Sequence, residues 1–310
     1  MTTIDARLRT ALAGISGILV TPFDAADRLA PARLKPIVDR AVGAGVHALV
    51  ANGNTGEFYG LTTKEAETMV HAVAEHTARR CVLIGGVGRS IHDACTLAKA
   101  SHAAGVDALM VHQPPDPFVS PRGVVSYIQR VADAAEGLPI MLYLRNDGIG
   151  LDAIEKLCTV PGVAGVKWAC PTPLRLAAAM RRCSPEIVWV DGLAEPWAPP
   201  FFAVGARGFT SGLINVWPEH SVAIHSALEA GDFSLARRLI DVMAPFEDLR
   251  AEEQNGTNVT VVKAALQLMG EDCGATRPPS AWPLTEGQVK KLQAQIAGWG
   301  LKRSRATARA

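Results

Sequence analysis

Eight short β-rich runs alternate along the chain with longer helical stretches, and this alternation limits the possible folds. The runs start roughly 20 to 35 residues apart, which is the length of a strand, a crossover helix and two loops. They read as continuous apolar segments, which is typical of a parallel sheet buried on both faces. The predicted strands are Ile15–Val20, His47–Ala51, Cys81–Gly85, Ala108–Val111, Ile140–Leu144, Val163–Lys167, Ile187–Val190 and Gly208–Ser211.

Segments between the strands show helical periodicity at Ala32–Ala44, Thr63–Thr77 and Ile91–Ala104. Glu65 and Glu67 near the start of the second of these suit the positive end of a helix dipole. Eight strand–helix units predict an α/β fold, a closed (β/α)8 TIM barrel of about 220 residues. An open doubly wound sheet is the alternative.

The residues after the eighth strand predict a C-terminal helical appendage. Its predicted helices are Pro218–Glu229, Phe233–Glu253, Val259–Leu268 and Glu286–Ala297. We therefore divide the chain into a barrel catalytic domain (1–235), a C-terminal helical region (236–300) and a basic tail (301–310). The tail lacks bulky apolar anchors, so we expect it to be disordered.

The charge balance and the cysteines limit the class of protein. Lys and Arg number 31 against 30 Asp and Glu, a net charge of +1, so neither a nucleic-acid partner nor a membrane partner is predicted. The six cysteines form no CxxC pair, and the N-terminus lacks a long apolar run. We therefore expect reduced thiols and a cytoplasmic location. The eight histidines show no metal-binding spacing, so no metal is predicted.

Lys167 is the residue most suggestive of catalysis. It ends the sixth predicted strand, and active sites of (β/α)8 barrels lie at the carboxyl ends of the strands. Uncharged residues surround it in sequence, and apolar surroundings lower the pKa of a lysine. A neutral amine can attack a carbonyl carbon and form a Schiff base. The alternative is a lysine that extends to solvent from the strand end.

Two other features could complete such a site. Tyr143, one strand earlier, could move protons during imine formation, although it could equally be a core tyrosine. The glycine-rich turn that contains Asn54, Thr55 and Gly56 follows the second strand, and its amides could bind a carboxylate or phosphate. Its alternative is an ordinary turn between a strand and a helix. Ser211 ends the eighth strand, and we predict that it also contacts substrate.

Taken in order, these motifs resemble the dihydrodipicolinate synthase / N-acetylneuraminate lyase family of class I aldolases. The resemblance covers about residues 11–300. Its motifs are TPF (Thr21–Phe23), GNTGEFYGLT (Gly53–Thr62), Tyr143, GVKWA (Gly165–Ala169), GFTSGLINVWP (Gly208–Pro218) and RPP (Arg277–Pro279).

The resemblance implies a lyase without a metal or organic cofactor, usually a homotetramer built as a dimer of dimers. It implies that Lys167 forms an imine with pyruvate or a 2-keto acid and that Tyr143 relays protons. It also implies that Thr55 and the backbone of Asn54 and Gly56 hold the carboxylate of the keto acid.

Departures from the family pattern bear on the substrate. The family often has two threonines where this chain has Asn54 and Thr55. Residues 112–118 read HQPPDPF, without the hydroxyl aromatic that the synthases use, and Gly148 stands where they place a carboxylate-binding arginine. These differences favour aldol cleavage or dehydration of a 2-keto-3-deoxy sugar acid.

Other functions remain open at this point. The alternatives are a dihydrodipicolinate synthase that condenses pyruvate with aspartate semialdehyde, a non-catalytic keto-acid-binding barrel and a phosphate-binding barrel isomerase.

Alternate residues of a strand face the same side, so Arg145 could face the barrel mouth with Tyr143. We hypothesise that Arg145 binds a distal carboxylate or hydroxyls of the substrate; a salt bridge at the barrel rim is the alternative.

Overall fold

The eight predicted strands are all present, and each end lies within two residues of its predicted position. The computed structural model describes residues 4–301. The strands are β1 Ile15–Ile18, β2 Ala48–Ala51, β3 Val82–Val87, β4 Ala108–His112, β5 Ile140–Leu144, β6 Val163–Trp168, β7 Val188–Asp191 and β8 Phe209–Ser211.

These strands pair in chain order, all parallel, and β1 closes the sheet by pairing with β8. The (β/α)8 barrel prediction is therefore confirmed, and the open doubly wound sheet is wrong. One helix follows each of the first seven strands, and further helices follow β8. The helices are α1 Ala6–Leu12, α2 Lys35–Gly43, α3 Thr63–Thr77, α4 Ile91–Ala103, α5 Pro121–Ala134, α6 Leu151–Cys158, α7 Pro173–Met180, α8 Ala198–Ala203, α9 Pro218–Glu229, α10 Phe233–Asn255, α11 Asn258–Leu268 and α12 Glu286–Gly298.

Local sequence explains where α3 begins. Thr62 caps the helix: its hydroxyl accepts from the backbone N–H of Glu65, and the Glu65 carboxylate accepts from the backbone N–H of Thr62. This reciprocal capping box satisfies two backbone donors that the first turn leaves free. The sequence placed the helix bounds correctly and left the cap residue unassigned.

The C-terminal appendage is helical as predicted, but its elements do not break at the predicted boundary. α10 runs across residues 235 and 236, and its non-helical residues lie at Glu252, Glu253 and Gln254. The division at 235/236 stays a prediction. Residues 302–310, which include most of the predicted basic tail, lie outside the described residues.

Apolar side chains fill two layers, one inside the barrel and one between the barrel and the helices. The inner layer includes Val50, Ile84 and Met110 from three strands. Leu8 and Leu12 of α1 pack against the same cluster. Between residues 4 and 301, no helix has the length and hydropathy that a membrane span requires.

Candidate active site

Three polar side chains lie side by side on adjacent strands at the carboxyl end of the barrel. His112 of β4 is in register with Tyr143 of β5, and Tyr143 is in register with Lys167 of β6. Tyr143 packs with the apolar cluster inside the barrel, whereas its neighbours Leu142 and Leu144 pack outside it. The strand alternation therefore points this row of residues into the barrel.

An irregularity in strand pairing sets this register. Ile140 pairs with Val163, but the next residue, Met141, pairs with Gly165, so β6 carries one extra residue, Ala164. Without that bulge, continued pairing would place Tyr143 opposite the residue before Lys167, which faces the other side of the sheet. The bulge therefore brings the phenol ring next to the amine.

Lys167 is buried, with 3 % of its surface exposed. Its Nζ lies 3.9 Å from the centroid of the Tyr143 ring. Burial, aided by the positive charge of Arg145 and opposed by the carboxylate of Asp191, lowers the pKa of Lys167 to about 7. At neutral pH about half of the amine is therefore uncharged, the form that attacks a carbonyl carbon.

The Tyr143 hydroxyl is held by the turn after β2. The Asn54 side-chain Nδ2 donates to the Tyr143 oxygen at 3.0 Å. Because that oxygen accepts from Asn54, its own proton can point toward a substrate. Burial raises the pKa of Tyr143 to about 12, so the phenol is protonated at neutral pH.

The turn that carries Asn54, Thr55 and Gly56 is a short 3-10 helix. The Gly56 N–H donates to the Gly53 carbonyl at 3.0 Å, so this donor is used within the turn. A Cβ on Gly56 would lie 2.9 Å from the Leu19 carbonyl oxygen. Only glycine fits this approach, and the Gly56 carbonyl accepts from Thr21 Oγ1 at 2.6 Å. Thr55 is buried, with 5 % of its surface exposed.

A buried ion pair secures the far end of this turn. Glu57, whose φ of 56° is left-handed, places Oε1 2.6 Å from Lys263 Nζ of α11. Its Oε2 accepts from the Arg277 backbone N–H at 2.8 Å. Lys263 also donates to the Ala275 carbonyl at 3.0 Å. The C-terminal region therefore contacts the residue next to Gly56, a connection that sequence reasoning missed because the partners lie more than 200 residues apart.

Arg145 lies at the rim, one residue beyond β5, and is exposed. Its backbone N–H donates to Gln113 Oε1 at 2.8 Å. The structure records no ion pair for Arg145 within residues 4–301, so the predicted alternative, a rim salt bridge, is not observed. Its charge helps to lower the pKa of Lys167 and opposes the rise that burial causes in the pKa of Tyr143, so the guanidinium lies within electrostatic range of the site.

The structure does not bring Ser211 to this group. Ser211 faces away from the barrel interior, as Phe209 does two residues earlier in β8. Its Oγ donates to Glu195 Oε1 at 2.6 Å and lies 3.2 Å from Ser221 Oγ. Because alternate residues of a strand face opposite sides, a polar residue at a strand end need not face the mouth. Ser211 supports the loop of Glu195 instead.

Two further side chains near this group, His112 and Tyr59, were assigned no role from the sequence. His112 is fully buried, stacks on Phe58 with ring centroids 4.5 Å apart, and contacts the Tyr143 ring at 5.1 Å. Burial, aided by the charge of Lys167, lowers the pKa of His112 to about 3, so it is neutral. The signal for Tyr59 was its place inside the motif that carries Thr55. Within residues 4–301 no cluster of His, Cys, Asp and Glu side chains has the form of a metal site.

Comparison with known proteins adds independent information. Residues 11–298 match the model of the dihydrodipicolinate synthetase family. A probable 5-dehydro-4-deoxyglucarate dehydratase 1 from Streptomyces avermitilis is 33 % identical over 271 residues, 85 % of each chain. A probable 5-dehydro-4-deoxyglucarate dehydratase from Streptomyces griseus is 31 % identical over 95 % of this chain and 93 % of its own.

Among solved structures, dihydrodipicolinate synthase from Bacillus clausii is 34 % identical. It superposes with a TM-score of 0.91 over 95 % of this chain and all of its own. The similar proteins share one barrel fold but are named for two different activities. Which activity fits this chain depends on the residues that contact the part of the substrate beyond the keto acid.

Proposed function

Because this chain belongs to the dihydrodipicolinate synthetase family and is a lyase of the class I aldolase type, we propose that it dehydrates a 2-keto-3-deoxy sugar acid through a Schiff base on Lys167. The observation that carries this proposal is the buried, partly neutral Lys167 amine beside Tyr143. The similarity to two proteins named as sugar-acid dehydratases supports the substrate class.

The first half of the reaction forms the imine. The neutral Lys167 nitrogen attacks the ketone carbon of the substrate, and the Tyr143 hydroxyl donates a proton to the oxygen that leaves as water. Asn54 orients Tyr143 for this transfer through the 3.0 Å hydrogen bond to its oxygen. The product is a protonated imine that joins Nζ to the former ketone carbon.

The turn after β2 holds the carboxylate of the keto acid in this proposal. The Thr55 hydroxyl and the backbone N–H groups of Asn54 and Thr55 are the donors that we assign to it. The Gly56 N–H is already bonded within the turn, so we assign Gly56 to shaping the turn rather than to direct contact.

The second half of the reaction expels water. The protonated imine acidifies the neighbouring CH₂ group, and the Tyr143 phenolate left by the first half takes one of its protons to give an enamine. The enamine electrons then expel the hydroxyl group on the next carbon, and Tyr143 returns the proton to that oxygen, which leaves as water. Hydrolysis of the remaining imine releases the keto product, restores the Lys167 amine and returns a proton to Tyr143.

For the finer choice of substrate we propose an acid with a second carboxylate at its distal end, of the kind named in the Streptomyces proteins. Arg145 is the cation at the rim that we assign to that carboxylate. Gly148 stands where the synthases place an arginine that binds the carboxylate of their second substrate. Because this chain lacks that arginine, the position supports the same choice.

Two assays test this proposal. Borohydride reduction with pyruvate, followed by intact mass and peptide mapping, should give one adduct on Lys167 that Lys167→Ala lacks. Turnover of 5-dehydro-4-deoxyglucarate should then be compared with condensation of pyruvate and aspartate semialdehyde. Adduct formation on another lysine, or no turnover of any keto-deoxy sugar acid, would contradict the proposal.

Dihydrodipicolinate synthase activity is the second candidate. The similarity to the Bacillus clausii synthase, 34 % identical with a TM-score of 0.91, favours it. In that case condensation would be fast and the sugar acid inert, while the pyruvate adduct on Lys167 would be the same. The second assay therefore decides between two reactions that share one imine.

We also propose that the protein is a cytoplasmic homotetramer, a dimer of dimers, that acts on a small-molecule keto acid. The family supports an oligomer, and the free cysteines suit a reducing compartment. Light scattering coupled to size exclusion should give about four times the 32.8 kDa chain mass. A monomeric mass at micromolar concentration would contradict this assembly.

A further inference from the structure

Tyr59 presents a phenol group to the mouth of the barrel, next to the proposed site. It lies in the short helix Phe58–Gly60, directly beyond the turn that carries Thr55. The Tyr59 residue is 41 % exposed, yet its ring packs edge-on against fully buried His112, with ring centroids 5.6 Å apart. His112 in turn packs against Tyr143, with ring centroids 5.1 Å apart. One buried imidazole therefore lies between the mouth phenol and the catalytic phenol.

The hydrogen bonds of His112 determine how the Tyr59 hydroxyl points. His112 Nε2 lies 3.2 Å from the Asn52 carbonyl oxygen. A carbonyl can only accept, so Nε2 carries the proton of the neutral ring, and Nδ1 is the acceptor. The Tyr59 hydroxyl lies 3.4 Å from Nδ1 and therefore donates to it. This contact is long, as is common for active-site hydrogen bonds before substrate binds.

The lone pairs of the Tyr59 oxygen are left for another partner. With its proton directed at His112, this oxygen can accept from a hydroxyl group in the mouth. Burial raises the pKa of Tyr59, so the group is a neutral phenol near neutral pH. It therefore acts as a hydrogen-bond acceptor and not as an acid that gives its proton to the reaction.

The positive charge of Arg145 acts on both Tyr59 and Lys167. The charge of Arg145 lowers the pKa of Lys167 and also acts to lower that of Tyr59. The same guanidinium therefore lies near both the imine-forming nitrogen and the mouth phenol. The contacts agree: Tyr59 packs on His112, His112 packs on Tyr143, and the Tyr143 ring centroid lies 3.9 Å from Lys167 Nζ.

We propose that Tyr59, oriented by His112, is a specificity-determining residue that accepts a hydrogen bond from a hydroxyl group of the substrate between its keto-acid end and its distal carboxylate. This inference rests on the proposed function, because pyruvate has no such hydroxyl. It names one contact that distinguishes a sugar acid from a simple keto acid in this site.

Tyr59→Phe tests the contact because it removes one oxygen and keeps the ring on His112. We expect KM for the keto-deoxy sugar acid to rise about tenfold, the usual effect of losing one substrate hydrogen bond, with kcat changed less than about threefold. Borohydride trapping with pyruvate should keep its wild-type rate and concentration dependence. Tyr127→Phe is the matched control, because it removes one phenol oxygen whose proton is already donated to the Arg89 carbonyl.

His112→Phe should raise KM by a similar factor. Combining it with Tyr59→Phe should raise KM little further, because both changes remove the same hydrogen bond between the Tyr59 hydroxyl and His112. The buried His112 variant could fail to fold, and Tyr59→Phe then decides alone. An unchanged KM in Tyr59→Phe, or an equal loss of pyruvate trapping, would overturn the inference while wild-type turnover stands. If the wild type traps pyruvate but turns over no sugar acid, the proposed function fails and the inference fails with it.

Discussion

The buried amine of Lys167 should reduce the stability of the protein, and Lys167→Met should therefore raise it. Lys167 is 3 % exposed, and its pKa falls from 10.5 to about 7 on folding. Each pKa unit corresponds to about 1.4 kcal/mol, so holding this group in the folded state costs about 4 kcal/mol at pH 7. Methionine has a similar volume and carries no charge to desolvate.

The pH dependence gives the sign of the effect. Between pH 7 and pH 10.5 the unfolded chain binds more protons at this lysine than the folded chain, so the wild type gains stability as the pH rises. The advantage of Lys167→Met should therefore shrink from about 4 kcal/mol at pH 7 to about 1 kcal/mol at pH 9.5. Groups that do not interact with Lys167 titrate alike in both proteins and cancel in the difference.

Urea unfolding at both pH values, at one fixed protein concentration, measures this difference. Lys290→Met, at an exposed position of α12, is the control and should leave stability unchanged at both pH values. A Lys167→Met variant that is no more stable than wild type at pH 7 would refute the burial argument. So would an advantage that stays constant up to pH 9.5.

Three further predictions follow from the contacts of the site. Arg145→Gln removes a cation that holds down the pKa of Lys167, so the pH midpoint of borohydride trapping with pyruvate, near 7 in the wild type, should rise. Tyr143→Phe should slow borohydride trapping by about 10²- to 10⁴-fold at saturating pyruvate, because it removes an acid–base group. An unchanged trapping rate would show that Tyr143 does not transfer protons in this reaction. Lys263→Met leaves the Glu57 carboxylate buried without its 2.6 Å partner and should destabilise the protein by about 3–5 kcal/mol in urea unfolding. The double variant Glu57→Gln/Lys263→Met should recover part of that loss; strict additivity would show that the two side chains are not coupled.

The sequence was sufficient to predict the barrel because its signal is repeated eight times. Continuous apolar runs and their spacing require only that each strand be buried on both faces, and no single residue decides the result. The strand ends were accordingly correct to within two residues. The α3 cap at Thr62 was not assigned from the sequence, although Thr62 and Glu65 have the spacing of a capping box.

The direction of individual side chains was harder to predict. Ser211 ends a three-residue strand, and nothing in so short a segment reveals which of its faces is internal. Lys167 faces the barrel only because Ala164 adds one residue to β6, a bulge that has no sequence signature of its own. Polarity at a strand end therefore locates the mouth of a barrel, whereas strand register decides which polar residues reach it.

If the turn at Thr55 binds the substrate carboxylate as proposed, the ion pair of Glu57 and Lys263 gives the C-terminal helices a part in substrate binding. The turn at Thr55 must keep its donors in one arrangement to bind a carboxylate, and a left-handed residue such as Glu57 costs free energy that other contacts must offset. Those contacts come from α11 and from the Arg277 backbone, both beyond the barrel strands. Eight strand–helix units can thus close the barrel, while the shape of the turn that we propose binds the carboxylate depends on residues outside those units.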